Sequence, residues 1–190
     1  MAIWNEIIVA CWGVFILYWV YSSFFVKKDA LRTQFWWSWW FRIVLIGVLV
    51  TWIAHTGHLG KIPQLEIFQS NGNAVLGALG ALFCVVGIGL AVWARVHLGS
   101  NWSPAPTLKE GHELVTSGPY RWLRHPIYTG MLLAILGSTF SSTEWIIVLV
   151  MGTAVFVWRI GREEALMMQQ FPSQYPEYKK HTWALIPFIY

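Results

Sequence analysis

Charge is scarce in this sequence. Only 12% of its 190 residues are Asp, Glu, Lys or Arg, about half the share of an ordinary soluble domain, which argues against a water-soluble globule. Cysteine is nearly absent. Cys11 and Cys84 are the two in the chain, both inside apolar runs, so they read as small hydrophobes and no disulfide or zinc framework follows from them. There is no Walker loop, no GxGxxG turn and no Ser-His-Asp order that would mark a nucleotide-binding or hydrolase fold. His55 and His58 sit together in HTGH, apart from the other histidines, and do not make a metal set. The N-terminal MAIWNEIIVACW lacks a basic region and a small-residue cleavage site, as expected of a retained first span and not of a signal peptide.

What is abundant is apolar surface and tryptophan. Apolar residues make up 56% of the chain, with 14 tryptophans, a side chain that favours the water–lipid interface. Five apolar stretches stand out, at about 3–26, 40–58, 74–96, 126–140 and 145–158. The first three are long enough to cross a hydrocarbon core of about 30 Å. The last two are shorter and separated only by a few residues around SST, so they predict a tight helical hairpin. The expected fold is all-α, an integral membrane bundle of five transmembrane helices. With the N-terminus outside, 12 of the 13 Lys and Arg residues fall on the inner side and only Lys61 on the outer. That asymmetry predicts a cytoplasmic C-terminus and explains the net charge of +4 without a nucleic-acid partner. TQFWWSWWFR before the second stretch reads as an aromatic anchor. Gly77, Gly80, Gly87 and Gly89 in the third read as sites of close helix approach.

Two polar segments interrupt the apolar pattern on the predicted cytoplasmic side. One is the loop ending GPYRWLRHPIYTG; the other begins RIGREE after the fifth stretch. If the last two stretches form a hairpin, the start of one and the end of the other lie at the same depth, and the two segments meet. Pro126 suits the first position of a helix and restricts His125 before it. Arg124 and His125 then sit ahead of a helix N-terminus, a place that favours anions. Gly130 leaves room for a packed neighbour. Glu163 and Glu164 are placed at the inner end of the fifth stretch, where carboxylates oppose the helix dipole and ionisable groups are functional candidates. Read from the residues alone, Arg124 also suits snorkelling to lipid phosphates, His125 a simple cap, and Arg159 and Arg162 surface ion pairs with the glutamates. His112 also suits an ordinary loop histidine.

The spaced elements GHELVTSGPYRWLRHPIYTG and REE resemble the isoprenylcysteine carboxyl methyltransferases and the related phospholipid N-methyltransferases, over about residues 98–178. The resemblance implies an integral membrane methyltransferase that uses S-adenosylmethionine and needs no metal. It divides the single membrane domain into three apolar spans (1–97) and a cofactor-binding core (98–190). The cofactor contacts it implies are His112, Glu113, Leu114, Val115, Tyr120, His125, Pro126, Ile127, Tyr128 and Glu163, with Arg124 beside them, and Arg159 is the implied acceptor-orienting arginine. On chemical grounds Glu163 can accept from a hydroxyl or ammonium, and first-turn N–H groups after Pro126 can hold a carboxylate.

A carboxylate acceptor is ionised at neutral pH and needs only orientation, whereas an amine or thiol needs a base such as Glu164 or His125. The favoured acceptor is therefore a lipophilic carboxylate entering from the bilayer. A phospholipid amine or a small thiol stays open as an alternative. Sterol reductases share the C-terminal pattern but use NADPH and are much longer chains, and a non-enzymatic membrane partner would not need the complete set of site residues. The expected location is a bacterial or archaeal inner membrane, with the site on the cytoplasmic face and membrane lipids as surroundings.

Overall fold

A computed structural model describes residues 2–25, 73–102, 113–142 and 144–189. The described residues form helices α1 (Ala2–Ser23), α2 (Ala74–Leu98), α3 (Pro126–Thr139), α4 (Glu144–Gln170) and α5 (Gln174–Lys180), with 3-10 turns at Gly99–Asn101 and Gly118–Arg121. No strand forms among them; a single parallel bridge joins Leu123 to Trp183. The second apolar stretch, its tryptophan cluster, HTGH, Lys27, Lys28, Arg32, Arg42, Lys61, Lys109 and His112 lie outside the described residues.

Local chemistry sets the helix ends. The Asn73 side chain caps α2 by accepting from the N–H groups of Val75 (3.0 Å) and Leu76 (3.4 Å), which satisfies donors that have no partner inside the helix. Gly99, at φ 54°, ends α2 in a backbone conformation that favours glycine, and its N–H donates to Arg95 O. Pro126 opens α3, as the sequence predicts. His125 before it has φ −127° and ψ 56°, not fully extended, and its side chain makes no cap bond.

Among the described residues, three helices are long and apolar enough to cross a membrane: Ile3–Ser23, Ala74–Asn101 and Glu144–Gln170. α3, with 14 residues, reaches about 21 Å, less than the hydrocarbon thickness. The sequence expectation of a short fifth span ending near Trp158 is corrected here, because α4 continues unbroken to Gln170. Nothing in RIGREEALMMQQ breaks a helix; the stop comes at Phe171-Pro172. Glu163 and Glu164 therefore lie within α4 and not at its C-terminus, and the dipole argument, which holds only for the last turn, does not apply to them.

α1 and α2 run parallel and in register: Trp4 packs on Gly77 at one end, and Ser22 meets Arg95 at the other. α2 and α3 run antiparallel, with Gly80 against Gly137 and Gly87 against Gly130. A Cβ on Gly87 would come within 2.5 Å of Gly130 O, and one on Gly130 equally close to Gly87 O. Close approach of two backbones, and not conformational freedom, is what these glycines supply. Cys84, fully buried, lies in the same seam with Ile88, Ala91 and Ala134, and α1 covers it with Ile8 and Phe15. Both cysteines are free thiols. Trp12 ties α1 to α3 through Nε1–H to Ser138 Oγ at 3.0 Å and stacks on Trp145 of α4. Outward faces are apolar; Val9, Leu17 and Val20 of α1 and Val150 and Met151 of α4 are all exposed. The packing directions put the C-terminal ends of α1 and α2 and the start of α3 at one end of the bundle. The polar half of α4 reaches that end as well.

Candidate functional site

The predicted meeting of RHPIY with RIGREE is present. Three groups form its centre. Tyr128 Oη donates to Glu163 Oε1 at 2.7 Å, Arg159 Nε lies 2.6 Å from the same carboxylate oxygen, and Arg159 Nε also reaches Tyr128 Oη at 2.5 Å. Arg159 and Glu163 are four residues apart on one face of α4, the spacing at which helical side chains meet, and Tyr128 comes from the first turns of α3. The Tyr128 ring is stacked between His125 and Phe156, with ring centroids 5.6 and 4.6 Å away and planes within 5° and 11°. Phe156 is 2% exposed and fixes the ring from the α4 side.

His125 stands between two carboxylates. Its Nδ1 is 3.5 Å from Glu163 Oε2 and its Nε2 is 3.6 Å from Glu164 Oε1. These are ion-pair distances, longer than a good hydrogen bond, and Nε2 is buried with no hydrogen-bond partner. Burial disfavours the imidazolium, but the hydrogen-bonding and Coulombic pull of Glu163 and Glu164 outweighs it, so the pKa lies above its usual value.

Glu164 is engaged on both oxygens: Arg124 Nε donates to Oε1 at 2.7 Å and Lys179 Nζ to Oε2 at 2.5 Å. Arg124 also donates to the Thr182 carbonyl, so its guanidinium binds the C-terminal tail. The tail is a strap under the start of α3. Arg124 N–H donates to Trp183 O (2.8 Å), His125 N–H to Ala184 O (3.1 Å), Trp183 N–H to Trp122 O (3.0 Å), and Thr129 Oγ1 to Leu185 O (2.7 Å). Tyr178 Oη donates to Tyr120 O at 2.6 Å. Burial pushes both of these phenols well above their usual pKa, so they stay neutral donors.

A groove of about 520 Å³ opens between the loop before α3 and α5, lined by Leu114, Thr116, Arg121, Tyr178, His181 and Thr182 among others. That size suits a cofactor-sized ligand. Among the described residues no set of His, Cys, Asp or Glu gathers as a metal site.

Of the residues singled out in the sequence, Arg124, His125, Tyr128, Arg159, Glu163 and Glu164 form this single network. Leu114 lines the groove, and Val115, Tyr120 and Ile127 pack in one apolar cluster with Ala94 of α2. Pro126 is buried at the head of α3. Glu113 is exposed and is not part of the network. Two of the first-turn N–H groups expected to hold an anion, those of Tyr128 and Thr129, are used by His125 O. Phe156, Lys179, Thr182 and the 183–185 strap were not singled out. Their signal is weak in the sequence, because a phenylalanine in an apolar span looks like lipid-facing surface and the strap acts through backbone groups.

The profile of the isoprenylcysteine carboxyl methyltransferase (ICMT) family matches residues 79–169, which include the α2–α3 seam and the whole Tyr128–Arg159–Glu163 centre. The mouse protein-S-isoprenylcysteine O-methyltransferase is 35% identical over 151 residues, 76% of this chain and 51% of the mouse protein. The chain is thus similar to the ICMT family through residues 79–169. The Saccharomyces cerevisiae protein of the same name is 30% identical over 138 residues, 67% of this chain and 56% of the yeast protein. A solved structure of the eukaryotic intramembrane Ras methyltransferase ICMT superposes with a TM-score of 0.60 at 26% identity, over 77% of this chain and 52% of that one. The chain spans about half the length of the curated relatives it matches. Its apolar helices and its likeness to an intramembrane fold make it an integral membrane protein.

Proposed function

We propose that this chain is an ICMT family member, an S-adenosylmethionine-dependent methyltransferase acting on the carboxylate of a lipophilic, isoprenylcysteine-type acceptor that enters from the bilayer. The observation that carries the reading is the buried contact of Arg159 with Glu163 and Tyr128 across the α3–α4 hairpin. The family match supports the activity, and the relatives' names support a lipidated acceptor.

The residues present fit the cofactor. Glu163 offers a carboxylate for hydroxyl or ammonium groups, His125 Nε2 is a buried polar atom that lacks a hydrogen-bond partner, and the groove beside Leu114, whose lining includes neither of them, has room for a nucleoside-sized ligand. Held there, the cofactor supplies an electrophilic methyl carbon whose leaving group is a neutral thioether. The chain's own residues do the rest. Arg159 orients an anionic acceptor, a role that a fixed guanidinium fork suits. Tyr128 and Glu163 hold that arginine in place, and the packed α2–α3 seam excludes water, so alignment and dehydration supply the rate enhancement.

A specific feature favours a carboxylate over an amine or thiol. The two candidate bases are occupied: Glu164 anchors Arg124 and Lys179, and the raised pKa of His125 favours its protonated form. We assign Glu164 to positioning and not to proton transfer, and Arg124 to holding the strap and not to cofactor contact. The reading retains the remaining contacts implied by the family, His112 among them, the division at about residue 97, and an N-terminus outside with the site on the cytoplasmic face of a bacterial or archaeal inner membrane.

Binding and turnover separate the possibilities. Adenosylhomocysteine should bind to the detergent-purified protein and NADPH should not; the reverse would replace the reading with a reductase. Radiolabel from S-adenosylmethionine should pass to a prenylcysteine carboxylate in preference to amine lipids or thiols. Transfer to an amine lipid alone would move the activity to the phospholipid N-methyltransferase type.

A further inference from the structure

At the same end of the bundle, away from the Glu163 network, Arg95 of α2 is 3% exposed. Its guanidinium spans the ends of two parallel helices: Nη2 donates to Ser22 O of α1 at 2.9 Å, and Nη1 donates to Gly99 O at 2.7 Å. The Trp102 ring lies 4.5 Å from its central carbon. Nε is buried and has no hydrogen-bond partner. Among the described residues no carboxylate pairs with Arg95. Among the described residues the charge is met by carbonyl dipoles and an aromatic face, a costly arrangement for a cation removed from water. Beside it lies a cavity of about 310 Å³, lined by Tyr18, Tyr21, Ser22, Phe25, Arg95 and Val96. Tyr21, Phe25 and Val96 are exposed, so the mouth is apolar and aromatic.

We propose that this cavity binds the phosphate headgroup of an anionic phospholipid, with Arg95 as its cationic floor and the aromatic mouth holding the start of the acyl chains. The site joins α1 to α2 and takes no part in methyl transfer. A bound phosphate supplies the negative charge that the helix ends withhold, and an apolar mouth selects a lipid over a soluble anion. Tyrosine at the interface presents an apolar ring and a polar tip, which matches the boundary between glycerol and acyl chain.

Native mass spectrometry of the full chain in a neutral detergent tests the assignment, using phosphatidylglycerol and phosphatidylcholine as probes. One phosphatidylglycerol should be retained about tenfold more tightly than phosphatidylcholine, a difference of about 1.4 kcal/mol. The preference should disappear in Arg95→Gln. Because that variant also removes the clamp on Ser22 and Gly99, Val96→Trp provides a second test: it fills the mouth and leaves every Arg95 bond in place. Loss of the preference in Val96→Trp, with the melting temperature of the lipid-free protein unchanged, supports the site. Equal retention of the two lipids, or an unaltered preference in Val96→Trp, overturns it. Inorganic phosphate that protects as well as the lipid would assign the guanidinium to a soluble anion and also overturn it.

Discussion

Tyr128 shares its hydroxyl between Arg159 and Glu163, and the two residues also touch each other directly at 2.6 Å. Tyr128→Phe therefore leaves both charges paired, and thermal melts should show a loss of about 1 kcal/mol, the worth of one hydrogen bond. Arg159→Ala leaves the buried Glu163 carboxylate with Tyr128 and His125 but without its guanidinium, and should cost about 3 kcal/mol. Arg159→Lys keeps the charge but loses the planar fork; adenosylhomocysteine should still bind while turnover falls by about 100-fold, the order of loss expected from a misaligned acceptor. If turnover in Arg159→Lys matched the wild type, the acceptor-orienting role would fail.

His125 adds a pH dependence. Its folded-state pKa lies above the ordinary value of about 6.5, so the imidazolium favours folding. That contribution is fully present below about pH 6.5 and is lost as pH rises through the folded-state value. Stability measured across this range should fall with rising pH in the wild type, and the slope should flatten in His125→Gln.

Among the elements, the α2–α3 seam gives the sharpest contrast. Gly130→Ala puts a Cβ 2.5 Å from Gly87 O and 2.7 Å from Ala91 N, whereas Gly89→Ala meets nothing within 4 Å. Overpacking against backbone should cost about 1–3 kcal/mol in the first, and the second should melt like the wild type. The sequence made the apolar spans legible by length, and Gly80 and Gly87 were visible as sites of close approach. Their partners Gly137 and Gly130 could be matched only through the antiparallel register, a long-range fact that no local pattern carries. The boundary of α4 was misplaced for a related reason. Hydrophobicity ends near Trp158, but helicity does not, because Arg, Glu, Ala, Leu, Met and Gln are all good helix formers. The site centre was legible because Pro126 and the short hairpin loop fixed the depth of His125 and Tyr128 relative to Arg159 and Glu163. Its support was not, since Phe156 and the 183–185 carbonyls carry no chemical signature.

Over the whole molecule, packing directions bring every described polar network of the candidate site to one end of the bundle, while the opposite end is held by Trp4 on Gly77 and by Ser141 donating to Asn5 at 2.8 Å. Deleting residues 183–189 should leave the helical content seen by circular dichroism almost intact and abolish adenosylhomocysteine binding, because the N–H groups of Arg124 and His125 lose their acceptors. The strap also has a consequence in time. Residues 183–185 leave the ribosome after helices α1 to α4. A nascent chain can place its helices in the bilayer while Arg124, His125 and Thr129 still wait for their carbonyl partners. Assembly of the site thus follows insertion of these helices, and a chain stalled before residue 183 would be inserted but inert.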